Sequence, residues 1–503
     1  MALLGPVPAV CFPSVEVLAS DPVQQSLQRG TRTVIVMQLV SQLVTLVVLA
    51  VLYRVLGPEP YGLLAMVVPL LLLLRVVISG GLDVAAVQRA DLSGPQVSAL
   101  FWLNQILGVA TVVVALAVAP GLAWFFNEPR LVSLTAALGG TSLVVALGTQ
   151  HQALLQREMR LGTLAVIRVT AQAIGGAAGI AAAWRGAGVW ALVVQQYVEF
   201  FALTVLAWLV EPWRPQFVLR RAGTRGMIRF GGHYTLSGLM FFVASNADKV
   251  IIGYTLGEKA LGLYSQAFNL MNKPVQAIIT PLTGLMLPSL SRAAGNPAQY
   301  SALLLGFFRA IALVMLPAAV GLSIVANEAM TVLGGPQWSA AGPLLAALAL
   351  SMLVQGFVNV FGSVLASVGR ADRLFYASAQ IAVVTCAGLL AGLEIGRALG
   401  HPALGVAEAY SFIMVVVVFP PYLVYVLRTI GLPWQRWLAE VQAAARPAIG
   451  MGVILALIHW GLGRAELMRT GFLLVTEILL GVALYGLLAR REIARLLALL
   501  GKK

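Results

Sequence analysis

The chain has 503 residues, 60% of them hydrophobic and only 10% charged, with a mean hydropathy of +0.90 and a formal net charge of +14. Soluble domains carry roughly 25% charged residues, so no water-soluble core hides this much apolar surface, and the Lys and Arg residues sit between apolar runs rather than on a basic domain of the kind that binds nucleic acid. Cys11 and Cys386 are too few for a disulfide framework and the four His residues show no metal-ligand spacing, so neither a metal site nor a cofactor is expected.

Residues 1–30 are weakly apolar, lack a basic leading region and show no clear cleavage site. They do not read as a signal peptide; a disordered N-terminal extension or a start-codon artefact is expected instead. From Thr33 onward, apolar segments follow at 33–53, 62–82, 97–119, 131–151, 163–183, 187–210, 228–253, 262–288, 301–325, 340–368, 373–396, 402–427, 444–462 and 468–489. Each is close to the roughly 20 residues a spanning helix needs. They are too long and too evenly apolar for the alternating strands of an outer-membrane barrel. The stretch Ala329 to Trp338 is expected as an interfacial turn or helix between two spans.

An even number of spans puts both termini on one side. Lys and Arg in the short loops are about three times as numerous on that side as on the other, which makes it cytoplasmic. The chain also repeats itself. Leu56-Gly57-Pro58-Glu59-Pro60-Tyr61-Gly62-Leu63 recurs 200 residues later as Leu256-Gly257-Glu258-Lys259-Ala260-Leu261-Gly262-Leu263, and Arg89, Gly94-Pro95 and Ser98-Ala99-Leu100 are echoed by Arg292, Gly295, Pro297 and Ser301-Ala302-Leu303.

The repeat maps span 1 onto span 7, so two six-helix lobes are expected in parallel orientation about an axis along the membrane normal. The fold expected is an all-α integral membrane protein of about 14 transmembrane helices, with two parallel-repeat six-helix lobes and two C-terminal helices. The N-terminal lobe takes 31–211, a basic cytoplasmic linker 212–227, the C-terminal lobe 228–430, and spans 13 and 14 with a basic cytoplasmic tail 431–503.

The seventh span, Phe230-Gly231 through Ser245-Asn246-Ala247-Asp248-Lys249-Val250-Ile251-Ile252-Gly253, with Leu256-Gly257 and Leu261-Gly262-Leu263-Tyr264-Ser265 after it, resembles the oligosaccharide flippases of the multidrug/oligosaccharidyl-lipid/polysaccharide exporter superfamily. Arg54-Val55-Leu56-Gly57 and Tyr61-Gly62 add to the likeness, which is nearest to the Wzx-like branch typified by colanic acid and capsule exporters and runs from about Leu27 to Arg495. The resemblance implies a twelve-helix two-lobed core with two extra helices. Its implied cargo is an undecaprenyl-diphosphate-linked oligosaccharide, flipped across the bacterial inner membrane for exopolysaccharide, capsule or O-antigen synthesis. Implied partners are the membrane bilayer and the polymerase and glycosyltransferases of such a pathway.

An ionisable residue inside a span costs at least ~2.5 kcal/mol on insertion scales and therefore faces a cavity, a partner or an interface. Arg75 in span 2 and Lys273 in span 8 stand on repeat-equivalent helices, two residues out of register, and with Arg309 they are the candidate cavity cations for a diphosphate. Pairing with a carboxylate is the competing role for each. Glu199, Asp248 and Lys249 are candidates for ion coupling or for a structural pair, and Glu477 for packing or pairing because its helix lies outside the repeat. Pro274 beside Lys273 is a candidate break in the backbone, and Gly175, Gly176 and Gly179 form a small-residue face suited to helix packing.

The outer loops are short and carry no Walker A motif, nucleophile elbow or zinc-protease helix, so no catalytic residue and no enzyme activity are expected. A membrane polymerase or ligase of the same pathway is therefore the weakest reading. A cation-coupled drug or metabolite antiporter of the same superfamily is the nearer rival. Cavity charge separates the two, since Arg75 and Lys273 suit an anionic head group.

Overall fold

The computed structural model describes the backbone of residues 21–79, 94–217, 225–293, 295–368, 372–464, 470–492 and 494–495, and side chains throughout most of these. Every regular element among the described residues is helical, as an apolar chain requires when its peptide groups have no water to bond to. The first half contains α1 (Asp21–Leu56), α2 (Glu59–Ser79), α3 (Gly94–Phe126), α4 (Arg130–Arg157), α5 (Leu161–Trp184) and α6 (Trp190–Val210). After the linker come α7 (225–256) and α8 (258–293), one continuous run of helix interrupted at Gly257. Then follow α9 (Pro297–Ile324), α10 (Ala326–Gly334), a 3-10 turn (Pro336–Trp338), α11 (Ala341–Ala349), α12 (Met352–Ser367), α13 (Asp372–Ala398) and α14 (Pro402–Phe412). A π-helical stretch (Ile413–Val418), α15 (Phe419–Thr429), α16 (Trp434–Arg464) and α17 (Thr470–Leu488) complete the order.

Each apolar segment expected from the sequence falls on a helix or on a broken helix. Among the described residues ten helices are long and apolar enough to cross a membrane, or eleven if α11 and α12 are one bent span, which does not confirm the expected count of about fourteen. The protein is thus a multi-pass membrane protein. Three boundaries differ from expectation. Helix α1 begins at Asp21, inside the stretch expected as an extension, while residues 1–20 lie outside the described residues. Helix α16 begins at Trp434, ahead of the apolar run, because its first turns carry Arg436 and Glu440 and are invisible to hydropathy.

The third is the span expected at 340–368, which bends by 54° between α11 and α12. The carbonyls near the bend are taken up by hydroxyls: Ser411 Oγ donates to the Ala347 carbonyl at 2.6 Å and Ser351 Oγ to that of Leu348 at 2.7 Å. Side-chain hydroxyls commonly satisfy carbonyls at such breaks inside membranes. By contrast, α8 stays helical through Pro274, so the backbone opening expected beside Lys273 is not there.

The repeat is visible in backbone geometry. Gly57 and Gly257, 200 residues apart, both turn the chain at positive φ, +71° and +78°. That conformation costs an L-residue with a side chain roughly 1–2 kcal/mol, which accounts for glycine at both places. Beyond the turns, α2 and α8 cross in a reciprocal contact. A Cβ on Gly62 would lie 1.7 Å from the carbonyl oxygen of Glu258, and a Cβ on Gly262 would lie 2.0 Å from that of Pro58. The two halves meet here backbone to backbone, each glycine seated on the other half's turn. The small-residue face of α5 does the same locally: Gly176 admits Val48 of α1, and Gly175 and Gly179 admit Glu199 and Gln195 of α6.

Candidate functional site

Around these crossed glycines the two halves form a seal. Tyr53 is fully buried, stacks on Trp338 with ring centroids 4.3 Å apart, and meets Tyr61 edge-on at 5.0 Å. Its carbonyl accepts from Trp338 Nε1 at 2.9 Å and from Gln337 Nε2 at 2.8 Å. Arg54 Nη2 donates to the Val332 carbonyl at 2.7 Å, and Arg130 Nη2 reaches Glu258 Oε1 at 3.1 Å. The element that closes the seal from the second half is α10 with its 3-10 turn, the stretch read from sequence as an interfacial turn or helix. Side-chain hydrogen bonds and an ion pair thus join the two halves at this end.

One of these bonds points down the space between the halves. Tyr53 Oη donates to Gln266 Oε1 on α8 at 2.7 Å, so this face of α8 looks toward the first half. Below Gln266 the same face continues at helical spacing with Asn269, Lys273, Gln276 and Thr280, all exposed. Asn269 Nδ2 donates to Gln266 Oε1 at 3.4 Å, and Thr280 Oγ1 to Gln276 Oε1 at 3.4 Å. Five polar side chains in register on a membrane helix are expensive against lipid. The face starts directly beneath the contact between the halves, at the Tyr53–Gln266 bond. Lys273 is its cation, with no ion pair among the described residues. The equivalent face of α2 carries Met66, Pro69, Leu73 and Val76, so the stripe belongs to the second half alone.

The other candidates separate into distinct settings. Arg75 lies on α2, but its side chain falls outside the described residues. Arg309 does not stand free in a cavity; its Nε reaches Glu440 Oε2 of α16 at 2.6 Å and an Nη closes on the same oxygen. Asp248 is buried and accepts from the phenol of Tyr264 at 3.0 Å. Lys249 makes no ion pair with it among the described residues; its ammonium donates to Asn246 Oδ1 at 3.0 Å and lies 5.4 Å from the Phe268 ring centre. Glu199 sits in the close α5–α6 contact with no ion pair among the described residues. Glu477 meets His459 of α16 at 2.9 Å.

The structure thus brings together Lys273 and a polar stripe, and separates Arg309, Asp248 and Glu199 from it. Tyr53, Gln337, Trp338 and the members of the stripe other than Lys273 are missed by a search for charges. The 3-and-4 spacing of Gln266, Asn269, Lys273, Gln276 and Thr280 is the signal that finds them. The linker is also ordered over 211–217. The Trp213 carbonyl contacts His151 Nε2 at 3.1 Å, and Trp102 Nε1 donates to the Gln216 carbonyl at 3.1 Å, fastening this stretch to the first half.

Comparison with solved structures gives the same architecture. The chain superposes on the lipid II flippase MurJ in an inward closed conformation with a TM-score of 0.70 at 11% identity, over 92% of this chain and 99% of that one. An inward-facing multidrug resistance MATE transporter of the MOP superfamily follows with 0.61 at 14% identity, over 79% and 99%. Among curated proteins, the teichuronic acid biosynthesis protein TuaB of Bacillus subtilis (strain 168) is 30% identical over 68% of this chain and 70% of its own length. The lipopolysaccharide biosynthesis protein WzxC of Escherichia coli (strain K12) is 21% identical over 79% and 80%. A family model described as polysaccharide biosynthesis protein matches residues 51–343, a stretch that holds both glycine turns, the seal and the polar stripe. With more than half the chain inside that match, the protein belongs to the polysaccharide biosynthesis protein family.

Proposed function

We propose that this protein is a flippase that carries undecaprenyl-diphosphate-linked oligosaccharide from the cytoplasmic to the outer face of the inner membrane by alternating access. The observation that carries the reading is the polar stripe of α8, with Lys273 at its centre, running from beneath a closed seal between two repeat-related halves. The excess of Lys and Arg in the loops opposite the seal makes the sealed end the outer one and both termini cytoplasmic. The two lobes, 31–211 and 228–430, then rock so that the outer seal opens as the cytoplasmic side closes. The diphosphate-sugar head enters from the cytoplasm and meets Lys273 and Arg75, whose positive charge it complements by charge-assisted hydrogen bonds. Its prenyl tail stays in lipid. The polymerase and glycosyltransferases of the pathway are the partners that supply and consume the cargo.

The names of the relatives support this direction: TuaB is a teichuronic acid biosynthesis protein, WzxC a lipopolysaccharide biosynthesis protein and MurJ a lipid II flippase. The likeness to MATE transporters is one of fold. For a cation antiporter the stripe would need a carboxylate where Lys273 stands.

The test is to deplete the protein in its host and probe, with an added sugar-modifying enzyme, which membrane face accumulates lipid-linked oligosaccharide. Cytoplasmic accumulation is expected. Accumulation on the outer face would instead assign the lost step to polymerisation or ligation, and none at all would favour the antiporter.

A further inference from the structure

The helices that follow the repeat, α16 and α17, are joined to α10 by a cluster of three titratable residues that the flipping mechanism does not use. His459 Nδ1 lies 2.9 Å from Glu477 Oε1, and His459 Nε2 lies 4.0 Å from Glu328 Oε1. One ligand-capable atom from each residue falls within 4.8 Å of the other two. The Glu477 side chain is 0% exposed and that of Glu328 14%, whereas His459 at 33% leaves a way in from outside the helices.

A second observation makes this more than a cluster of charges. The Oε2 atom of Glu477 and the Oε2 atom of Glu328 are both buried without a hydrogen-bond partner among the described residues. An unpaired buried acceptor costs ~1–3 kcal/mol, and more when charged. Both carboxylates take their only ion pair among the described residues from the same imidazole. One imidazole cannot satisfy all four carboxylate oxygens, so the cluster has oxygen lone pairs to spare.

We propose that Glu328, His459 and Glu477 form a binding site for a divalent transition-metal cation of the Zn²⁺ class, bracing α16 and α17 against α10. One imidazole nitrogen and two carboxylate oxygens are a zinc donor set, with the fourth position left to water. Bonds of about 2.0–2.2 Å place tetrahedral ligands roughly 3.4 Å apart, and one ligand-capable atom from each of the three residues already stands within 4.8 Å of the other two, so the set has only to close inward on an ion held by one imidazole nitrogen. Oxygen and imidazole donors in so small a set favour Zn²⁺ over Ca²⁺, which takes six to eight oxygens. Glu328 stands on the same helix-and-turn segment that carries Gln337 and Trp338 into the seal, so the ion sits beside the closure and apart from the polar stripe.

The experiment uses the untagged full-length protein in detergent, stripped of metal with a chelator. Zn²⁺ is titrated by calorimetry, and Co²⁺ is titrated in parallel while its visible absorption is followed. One Zn²⁺ per chain is expected, with Co²⁺ developing the intense bands of a four-coordinate site. His459→Gln and Glu328→Gln, each checked for a monodisperse elution profile, should bind Zn²⁺ roughly tenfold more weakly or worse, because losing a ligand costs at least as much as losing a residue that merely orients one. Absence of stoichiometric Zn²⁺ binding by the wild type, a Co²⁺ spectrum identical to that of the aquo ion, or unchanged affinity in both variants overturns the proposal. Should either variant misfold, the other variant and the wild-type Co²⁺ spectrum decide.

Discussion

Arg309 and Glu440 lock the second half of the repeat to the first of the two helices beyond it, the guanidinium meeting one carboxylate oxygen through both Nε and Nη. Both side chains are about four-fifths buried, 18% and 21% exposed. Truncating one partner of such a pair leaves the other charge desolvated. Arg309→Ala is expected to cost about 2 kcal/mol, seen as a lowered Tm in detergent. The exchange Arg309→Glu with Glu440→Arg should recover most of it. A Tm unchanged by Arg309→Ala together with lost export would return Arg309 to the role of a cargo cation.

Lys273 has the opposite signature, a cation on an exposed polar face with no carboxylate paired to it among the described residues. Lys273→Ala and Arg75→Ala are expected to lower polymer export by more than tenfold at matched membrane levels of protein, with Lys273→Arg retaining part of the activity. Near-normal polymer in both alanine variants would sink the idea that cavity cations hold the diphosphate.

The seal can be tested by its glycines. Gly262→Ala should abolish export without preventing membrane insertion, because its Cβ meets a backbone carbonyl that has no side chain to move aside. A cysteine placed at Gln266 should then react faster with a membrane-impermeant maleimide added on the outside. Gly284→Ala, whose Cβ meets nothing within 4 Å, is the control and should be silent in both assays.

Acid should loosen the same end, mildly. The Arg130 guanidinium beside Glu128 holds that carboxyl below its ordinary value of 4.5. The unfolded chain therefore takes up the proton first as pH falls. The stabilisation is fully present above about pH 4.5 and is lost as pH drops through the lower folded value. Arg130 is 55% exposed, so solvent screens the pair and the effect is small. The Tm difference between wild type and Arg130→Gln should be constant from about pH 8 to 5 and shrink below about 4. A difference that grows in acid would contradict this assignment.

Much of this was legible beforehand and some could not be. The glycine turns at 57 and 257 are printed twice in the sequence, and both appear at positive φ. The apolar runs locate helices because burial in lipid needs nothing but length and hydropathy. Helix α16 was read too short because Arg436 and Glu440 look like loop residues until Arg309, 131 positions away from Glu440, is known to face the latter. The seal is built largely from carbonyl oxygens, those of Tyr53, Pro58, Glu258 and Val332, and a carbonyl has no letter in a sequence. Glu328, His459 and Glu477 come from three separate segments, so their four-letter neighbourhoods hold no metal spacing. Lys273 was picked out as a charge when the larger signal was its polar neighbours three and four residues away.

The crossed glycines carry one more implication. Because Gly62 rests on the turn of the second half and Gly262 on the turn of the first, neither contact can be lifted while the other stays seated; a small rotation of one half prises both apart together. Close-packed surfaces of this sort have discrete arrangements rather than a continuum. The paired contacts therefore make the closure a latch rather than a sliding door, closed as a unit in the arrangement seen here.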